Sequence, residues 1–432
     1  MRLKSNDPVL SEETALPFKT TPPKEPKPRA MERHPSGVWV WDVFCRVIDN
    51  HGDLGVCWRL SQALASQGHT VRLFVDHPED LSWMAPHWAH PNGHAPTLHG
   101  VSVWPWPSVA QDLHALPGPA QVVIEAFGCD LPVVYLTQLG ERLLEEPRAR
   151  WAWINVDYLS AEAFYQGIHR LPSPQLFGPA LGLTKWFYQP GFTPTSGGLL
   201  RAHRAALDPP NGAQAQSTTA TKTATKTAPE TETWVLFCYE PPALQELLTQ
   251  LSRRPRPVLL QIAPGRAARH TRLVLQEMGV TNHAHDQESF AVGNLTLTFL
   301  PYVDQAQFDQ LLALSDLNFV RGEDSLVQAI WAQRPFIWQI YPQDDGAHGP
   351  KLEAFLQTLQ APESLAQFMR VWNGLSTAAL PVLSPALLQE WRDWSETHAQ
   401  RMRGVPDLAQ ELAVFAQHIM DTVPETPQHK RS

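Results

Sequence analysis

Two carboxylates four residues apart, Asp49 and Asp53, stand in the segment Asp-Asn-His-Gly-Asp-Leu-Gly (49–55), directly ahead of an apolar, helix-forming run. Such a pair can share the work of proton transfer, one acid facing a cleft as general base while the other orients it or holds the acceptor. The same residues also suit a plain helix start, with Asp53 as N-cap and Asp49 in an Asx-turn, so the local pattern leaves both readings open. A second group, Arg321-Gly-Glu-Asp-Ser325, follows an apolar run and precedes another helical stretch. There Gly322 would let backbone approach a ligand, the N–H groups of a helix beginning at Asp324 and Ser325 would attract phosphate oxygens, and Arg321 could fork onto them. A capped helix would choose the same residue types. Glu323, repelled by phosphates, is expected to aim at a sugar hydroxyl, a neighbouring cation or the acceptor. A third group is aromatic: Phe237-Cys-Tyr239-Glu240 and Pro301-Tyr302-Val-Asp-Gln305-Ala-Gln-Phe308. Their rings could stack a nucleobase with Gln305 reading its polar edge, or could belong to the core.

The elements that must position these residues alternate between short β-rich runs and amphipathic helical stretches, the grammar of parallel α/β layers. Strands are predicted at 38–48, 70–75, 121–126 and 151–156 in the first half. In the second they fall at 233–239, 257–262, 295–300, 316–320 and 335–340, with a helical pattern from about residue 350 onward. A helix over 56–67, ended by Gly68, completes one βαβ unit with the first two strands. The segment 49–55 occupies the turn where a dinucleotide fold carries Gly-x-Gly-x-x-Gly, without those glycines, which disfavours a nicotinamide enzyme. The expected architecture is therefore α/β: two facing Rossmann-like domains with the active site in the cleft between them. The predicted divisions are a disordered extension at 1–35, a first domain at 36–208 on the acceptor side and a low-complexity linker or loop insertion at 209–232. A second domain with C-terminal helices follows at 233–421 on the nucleotide side, then a disordered tail at 422–432. The 209–232 block is Thr/Ala-rich and lacks the large apolar residues a fold would need.

Composition narrows the function classes. With 34 Lys+Arg against 43 Asp+Glu the chain carries −9, and no basic stripe concentrates its cations. Nucleic-acid backbone and anionic membrane are thus poor partners. No apolar stretch is long enough for a membrane span and the first 35 residues have no signal-peptide core, so a cytoplasmic protein is expected, and a monomer. Cys45, Cys57, Cys129 and Cys238 are scattered and read as reduced, buried thiols. The Trp/His-rich stretch 83–106, with His87, His90, His94 and His99, has no usable metal spacing and reads as a loop. Asp-x-Asp, His-Glu-x-x-His, Walker and Gly-x-Ser-x-Gly motifs are all missing, which leaves a hydrolase or kinase without support.

Taken together, D-N-x-G-D-x-G-V-x-W-R-L (49–60), F-C-Y-E (237–240) and R-G-E-D-S (321–325) closely resemble the bacterial protein-arginine rhamnosyltransferases that modify elongation factor P, the EarP family. The resemblance runs from about residue 36 to the C-terminal region, interrupted by the polar block. It implies a metal-independent, inverting GT-B type glycosyltransferase without cofactor, moving L-rhamnose from dTDP-β-L-rhamnose to an arginine of elongation factor P, which relieves ribosome stalling at polyproline. By motif match Asp53 would be the catalytic base, Asp49 its partner at the acceptor and Glu323 a further essential carboxylate. Asn50, Gly52, Gly55, Phe237, Tyr239, Tyr302, Gln305, Phe308, Arg321, Gly322, Asp324 and Ser325 would bind the donor. Tyr302 stands where the family suggests Phe, a change that keeps a stacking face. The chemistry suits three acids, because an arginine with a pKa above about 12 is a protonated, poor nucleophile until carboxylates hold the cation and take its proton. Rival readings are another nucleotide-sugar enzyme, such as an epimerase, or a non-catalytic nucleotide-sugar-binding protein.

Overall fold

The structure, a computed structural model, describes residues 37–47, 52–85, 97–98, 100–106, 120–146, 149–201, 231–280, 289–343 and 346–422. Asp49, Asn50, the four histidines of the Trp/His-rich stretch, the 1–35 extension, residues 209–230 of the polar block and residues 423–432 lie outside them.

The first half contains β1 (Val40–Cys45), α1 (Gly52–Ser66), β2 (Thr70–Val75), α2 (Leu81–Met84), β3 (Thr97–Leu98), β4 (Val101–Pro105) and β5 (Val122–Ala126). It continues through α3 (Val133–Glu145), β6 (Ala152–Val156), α4 (Ala163–Ile168), β7 (Pro172–Pro174) and β8 (Thr184–Tyr188). The second half begins with β9 (Glu232–Leu236), α5 (Leu244–Ser252), β10 (Val258–Ile262), α6 (Arg266–Glu277), β11 (Ser289–Val292), β12 (Leu295–Phe299) and α7 (Gln305–Leu314). Then come β13 (Leu317–Arg321), α8 (Asp324–Ala332), β14 (Phe336–Gln339), α9 (His348–Thr358), α10 (Glu363–Trp372), α11 (Pro385–Met402) and α12 (Leu408–Thr422). Both halves lie within one contact unit, Pro35–Ser432.

Each half is built on a largely parallel sheet, ordered β3-β4-β2-β1-β5-β6-β8-β7 in the first and β11-β12-β10-β9-β13-β14 in the second. Strands β1 and β9 therefore sit where the order reverses, with neighbours entered from opposite directions, and ligands of doubly wound sheets bind at the carboxyl ends there. The central strands read as nearly unbroken apolar runs because helices cover both faces. Asp42 interrupts β1 and is fully buried, yet the Arg72 guanidinium forks onto it and Tyr135 Oη donates to it at 2.6 Å, which satisfies its lone pairs.

Three features depart from the sequence reading. The stretch read as a loop contains β4, whose Val101 and Val103 are fully buried and which pairs parallel to β2; its period-two alternation is masked by surrounding Trp, His and Pro. Helix α1 starts at Gly52, so Asp53 lies inside the first helical turn and is not its N-cap. Glu232 opens β9 and receives Arg254 at 3.0 Å and Arg256 at 3.2 Å, so the strand begins inside the block assigned to the linker.

Helix α12 follows the second half in sequence but packs with the first. Its stripe Leu408, Leu412, Phe415, Ala416 and Ile419 joins the core of β1, β2 and α1, with Phe415 against Tyr188 at 5.5 Å between ring centroids. The chain crosses between halves near residues 199 and 407, where the two crossings touch. Leu199 N–H donates to the Pro406 carbonyl at 3.1 Å and Leu408 N–H to the Leu199 carbonyl at 3.0 Å. Gly198, at φ 85°, lies under that Pro406 carbonyl with no room for a Cβ.

Candidate active site

At the switch point of the second sheet, the backbone after β9 and β13 splays apart. Phe237 N–H donates to the Phe319 carbonyl at 2.9 Å, and the chain then turns away at Cys238 and Tyr239. Beyond β13, Gly322 takes φ 59°, a left-handed conformation that reverses the strand into α8 at little steric cost. Trp338 Nε1 pins this turn by donating to the Gly322 carbonyl at 2.7 Å. The result places the Arg321 guanidinium 4.5 Å from the centroids of both Phe237 and Tyr239. The aromatic faces hold the cation while leaving its donors to a ligand, and Arg321 Nη1 is buried without a hydrogen-bond partner.

A cavity of about 230 Å³ opens beside this cation, between the two halves. Gly52 and Gly55 of α1 form part of its wall from the first half. Phe237, Tyr302, Gln305, Phe308, Arg321, Gly322, Glu323, Asp324 and Ser325 form the wall from the second. Phe308 packs edge-on to Phe237 at 5.2 Å, and the half-exposed Tyr302 meets Trp83 of α2 at 5.3 Å across the mouth. Tyr239 stands apart from the other expected donor residues: it is 1% exposed, lies behind the wall and acts on the cavity through Arg321. Ser325 Oγ turns toward its own chain, bonding the Arg321 carbonyl and accepting from Arg321 N–H at 3.1 Å. It thereby fixes the backbone of the cation it follows.

The carboxylates are arranged differently from one another. Asp53, 4% exposed, is buried in the first turn of α1 near Cys45, Cys57 and Glu323; the pKa of the Cys45 thiol is raised chiefly by its hydrogen bond with Cys57 and that of the Cys57 thiol by burial, with the Asp53 charge adding to both. Glu323 reaches from the start of α8 to the first half, where it accepts from Leu159 N–H at 2.9 Å. Burial pushes its carboxyl up to about 8, with Asp53 and Asp157 adding to the rise and the Leu159 N–H and Lys351 opposing it. Glu323 thus holds its proton more tightly than an ordinary carboxyl, beside the buried Asp53. Asp324 receives Arg59 Nε at 2.7 Å and Arg59 Nη2 at 3.2 Å, and Gln305 Nε2 at 3.3 Å.

The sequence reading did not single out several residues of the wall. Arg59 of α1 lines the cavity, as do Ala263, Pro264, Gly265, Arg266 and Arg269 at the β10–α6 turn. Gly265 takes φ 81° there, and the Arg266 guanidinium lies 5.6 Å from the Tyr239 ring. Pro-Gly-Arg directly after an apolar strand was the available signal, since it marks another βα turn at a carboxyl end. Among the described residues, no group of three or more His, Cys, Asp or Glu side chains is arranged to hold a metal ion. No helix among them is long and apolar enough to cross a membrane.

The family described as "Elongation-Factor P (EF-P) rhamnosyltransferase EarP" matches residues 41–417. A protein-arginine rhamnosyltransferase of Pseudomonas aeruginosa is 38% identical over 396 residues, 87% of this chain and 98% of the relative. One from Neisseria meningitidis is 32% identical over 394 residues, covering 86% and 96% respectively. In fold, the chain resembles a solved structure described as the "Structural basis for EarP-mediated arginine glycosylation of translation elongation factor EF-P". The TM-score is 0.52 at 24% identity, over 88% of this chain and 99% of that one. The two-sheet cleft is thus that of the GT-B glycosyltransferases. With the family match spanning both sheets and relatives above 30% identity along nearly their whole length, the chain belongs to the EarP family of elongation factor P rhamnosyltransferases.

Proposed function

We propose that this enzyme is an inverting transferase that moves L-rhamnose from dTDP-β-L-rhamnose to one arginine side chain of elongation factor P, a cytoplasmic reaction needing no metal. The observation that carries the reading is Arg321: a guanidinium held against two aromatic rings, with a buried partnerless N–H group beside a cavity of about 230 Å³. A leaving nucleoside diphosphate needs its developing charge stabilised, and Arg321 with the N-terminus of α8 supplies positive potential there. Phe237, Phe308 and Tyr302 offer stacking surface for thymine and the sugar side, Gly52 and Gly55 let α1 approach the donor, and Gly322 allows close approach of backbone. Asp49 and Asn50, just ahead of α1 in the sequence, are assigned by the same reading to the acceptor and the donor.

The acids divide the acceptor's chemistry. As the guanidinium nitrogen attacks the anomeric carbon, the carbon–oxygen bond to the diphosphate breaks and its electron pair leaves with dTDP. The nitrogen's proton passes to Asp53. An arginine cation arriving near Glu323 lowers its raised carboxyl pKa, so that Glu323 would release its proton to solvent as the acceptor enters and then hold the cation, leaving Asp53 free to take the proton from the attacking nitrogen. Intact-mass measurement of elongation factor P, incubated with the enzyme and dTDP-L-rhamnose, tests this. The expected result is one deoxyhexose on one arginine. Unmodified acceptor with free rhamnose or an altered nucleotide would instead identify another nucleotide-sugar enzyme, and donor binding without any turnover a binding protein.

A further inference from the structure

Arg59 lies on α1, nearly two turns beyond Asp53, and is 7% exposed. Its guanidinium forks onto two acids of the other half. Nη1 and Nη2 reach Asp309 of α7 at 2.9 and 3.1 Å, while Nε and Nη2 reach Asp324 of α8 at 2.7 and 3.2 Å. Asp309 is 9% exposed, and burial holds its carboxyl up at about 6 even beside this cation. A second tie runs alongside, with Gln305 Nε2 donating to the Gly55 carbonyl at 3.0 Å. Gly55 suits that approach, since a Cβ at this helical position would stand a tight 3.3 Å from Gln305 Nε2, which would have to give by a few tenths of an ångström, and in ordinary contact with Asp324 Oδ2 at 3.7 Å.

This arrangement answers the difficulty that an acid at the start of α8 poses for an anionic ligand. Asp324 lines the cavity and Asp309 lies close to it behind Arg59, and without a cation between them the two acids would repel a diphosphate. The neutralising charge comes from the opposite half, on the helix that also carries Asp53. We infer that Arg59 is a positioning residue that renders the donor site electrostatically competent only when the halves are closed, so that one helix delivers the base and completes the nucleotide site together. The inference rests on the proposed donor, a nucleoside diphosphate sugar. Arg59 itself acts through Asp324 and Asp309, since all three of its nitrogens already donate to these acids.

The experiment compares wild type with Arg59→Gln and Arg59→Lys in the full-length enzyme, measuring dTDP affinity by calorimetry, kcat and donor KM, and the radius of gyration by small-angle scattering. Removing one partner from a buried charge cluster is costly, so Arg59→Gln should weaken dTDP binding by about 10- to 100-fold and enlarge the radius of gyration. Arg59→Lys keeps the charge without the fork and should fall between. The double variant Arg59→Gln/Asp309→Asn should regain part of the lost dTDP affinity, a rescue that simple loss of packing would not produce. Should Arg59→Gln fail to fold, the lysine variant and Asp309→Asn in the wild-type background still decide, because each loosens the clamp while keeping a cation in place. Wild-type dTDP affinity and radius in both Arg59 variants, with only the melting temperature lowered, would overturn the inference. A wild-type enzyme that binds no dTDP would remove the functional reading, whereas the scattering comparison would still judge the clamp.

Discussion

Arg321→Ala should damage recognition of the diphosphate far more than recognition of the nucleoside. The guanidinium lies 4.5 Å from the ring centroids of both Phe237 and Tyr239, and its Nη1 is buried without a hydrogen-bond partner. A hydrogen bond from a cation to a phosphate oxygen contributes roughly 1.5–3 kcal/mol net, more than a neutral one because the charge assists it. At about 1.4 kcal/mol per tenfold, one such bond corresponds to a loss of about 10- to 100-fold in Kd. Alanine also removes the cation packed against the two rings, so Arg321→Met, which keeps much of the volume without the charge, is the matched control. Calorimetric titrations of each variant with dTDP and with dTMP separate the two contributions. The dTDP loss should be large in both variants and the dTMP loss small, since dTMP lacks the second phosphate. Equal losses for the two nucleotides would assign Arg321 a structural role, and no loss for either would place the diphosphate elsewhere.

Asp53→Asn should lower kcat by about 10²–10⁴-fold while leaving dTDP affinity near wild type, as expected for a general base that serves the acceptor; wild-type turnover in the folded variant would exclude that role. Glu323 gives a pH signature in stability. Its carboxyl rises from an ordinary 4.5 to about 8 in the fold, so between those values the native state binds the extra proton and stability falls as pH rises. Glu323→Gln removes that dependence, and its melting temperature relative to wild type should climb between about pH 5 and about pH 8 and level off above, by an amount worth at most a few kcal/mol; a pH-independent difference would contradict the buried-acid assignment. Excess EDTA should leave transfer intact, and activity lost to chelator and restored by Mg²⁺ or Mn²⁺ would refute the metal-free proposal.

The strand framework was legible because parallel strands buried on both faces must be continuous apolar runs. The segment 70–75 coincides with β2, and the predicted strands at 257–262 and 295–300 each match within one residue. What escaped was short or disguised, such as β4 among tryptophans and prolines, and the edge strand β7 with its two prolines. The motif residues Phe237, Gln305, Phe308 and Arg321 were readable because each follows a strand's carboxyl end. Arg59 was not: it stands in the motif 49–60 as a lone cation inside an apolar helical run between Trp58 and Leu60, with no partner in sequence reach, and only the packing of α1 against α7 and α8 reveals the two acids that pair with it. Likewise Gly55 reads as a turn former in sequence, whereas in the structure it lies within a helix and its carbonyl accepts from Gln305 Nε2 of the other half at 3.0 Å.

The return of α12 to the first sheet governs how the molecule can be cut. No single break in the chain yields two self-sufficient pieces: a fragment ending near residue 201 lacks Leu412, Phe415 and Ile419, and leaves Tyr188 and the apolar face of α1 uncovered. A fragment starting at 231 carries that same stripe with nothing to bury it against. Splitting the gene within the polar block should therefore give two polypeptides that are poorly soluble alone and reassemble when co-expressed, with α12 as the grip between them. Loss of the 15 residues of α12, remote in sequence from every acid in the cleft, should unseat the half that holds Asp53.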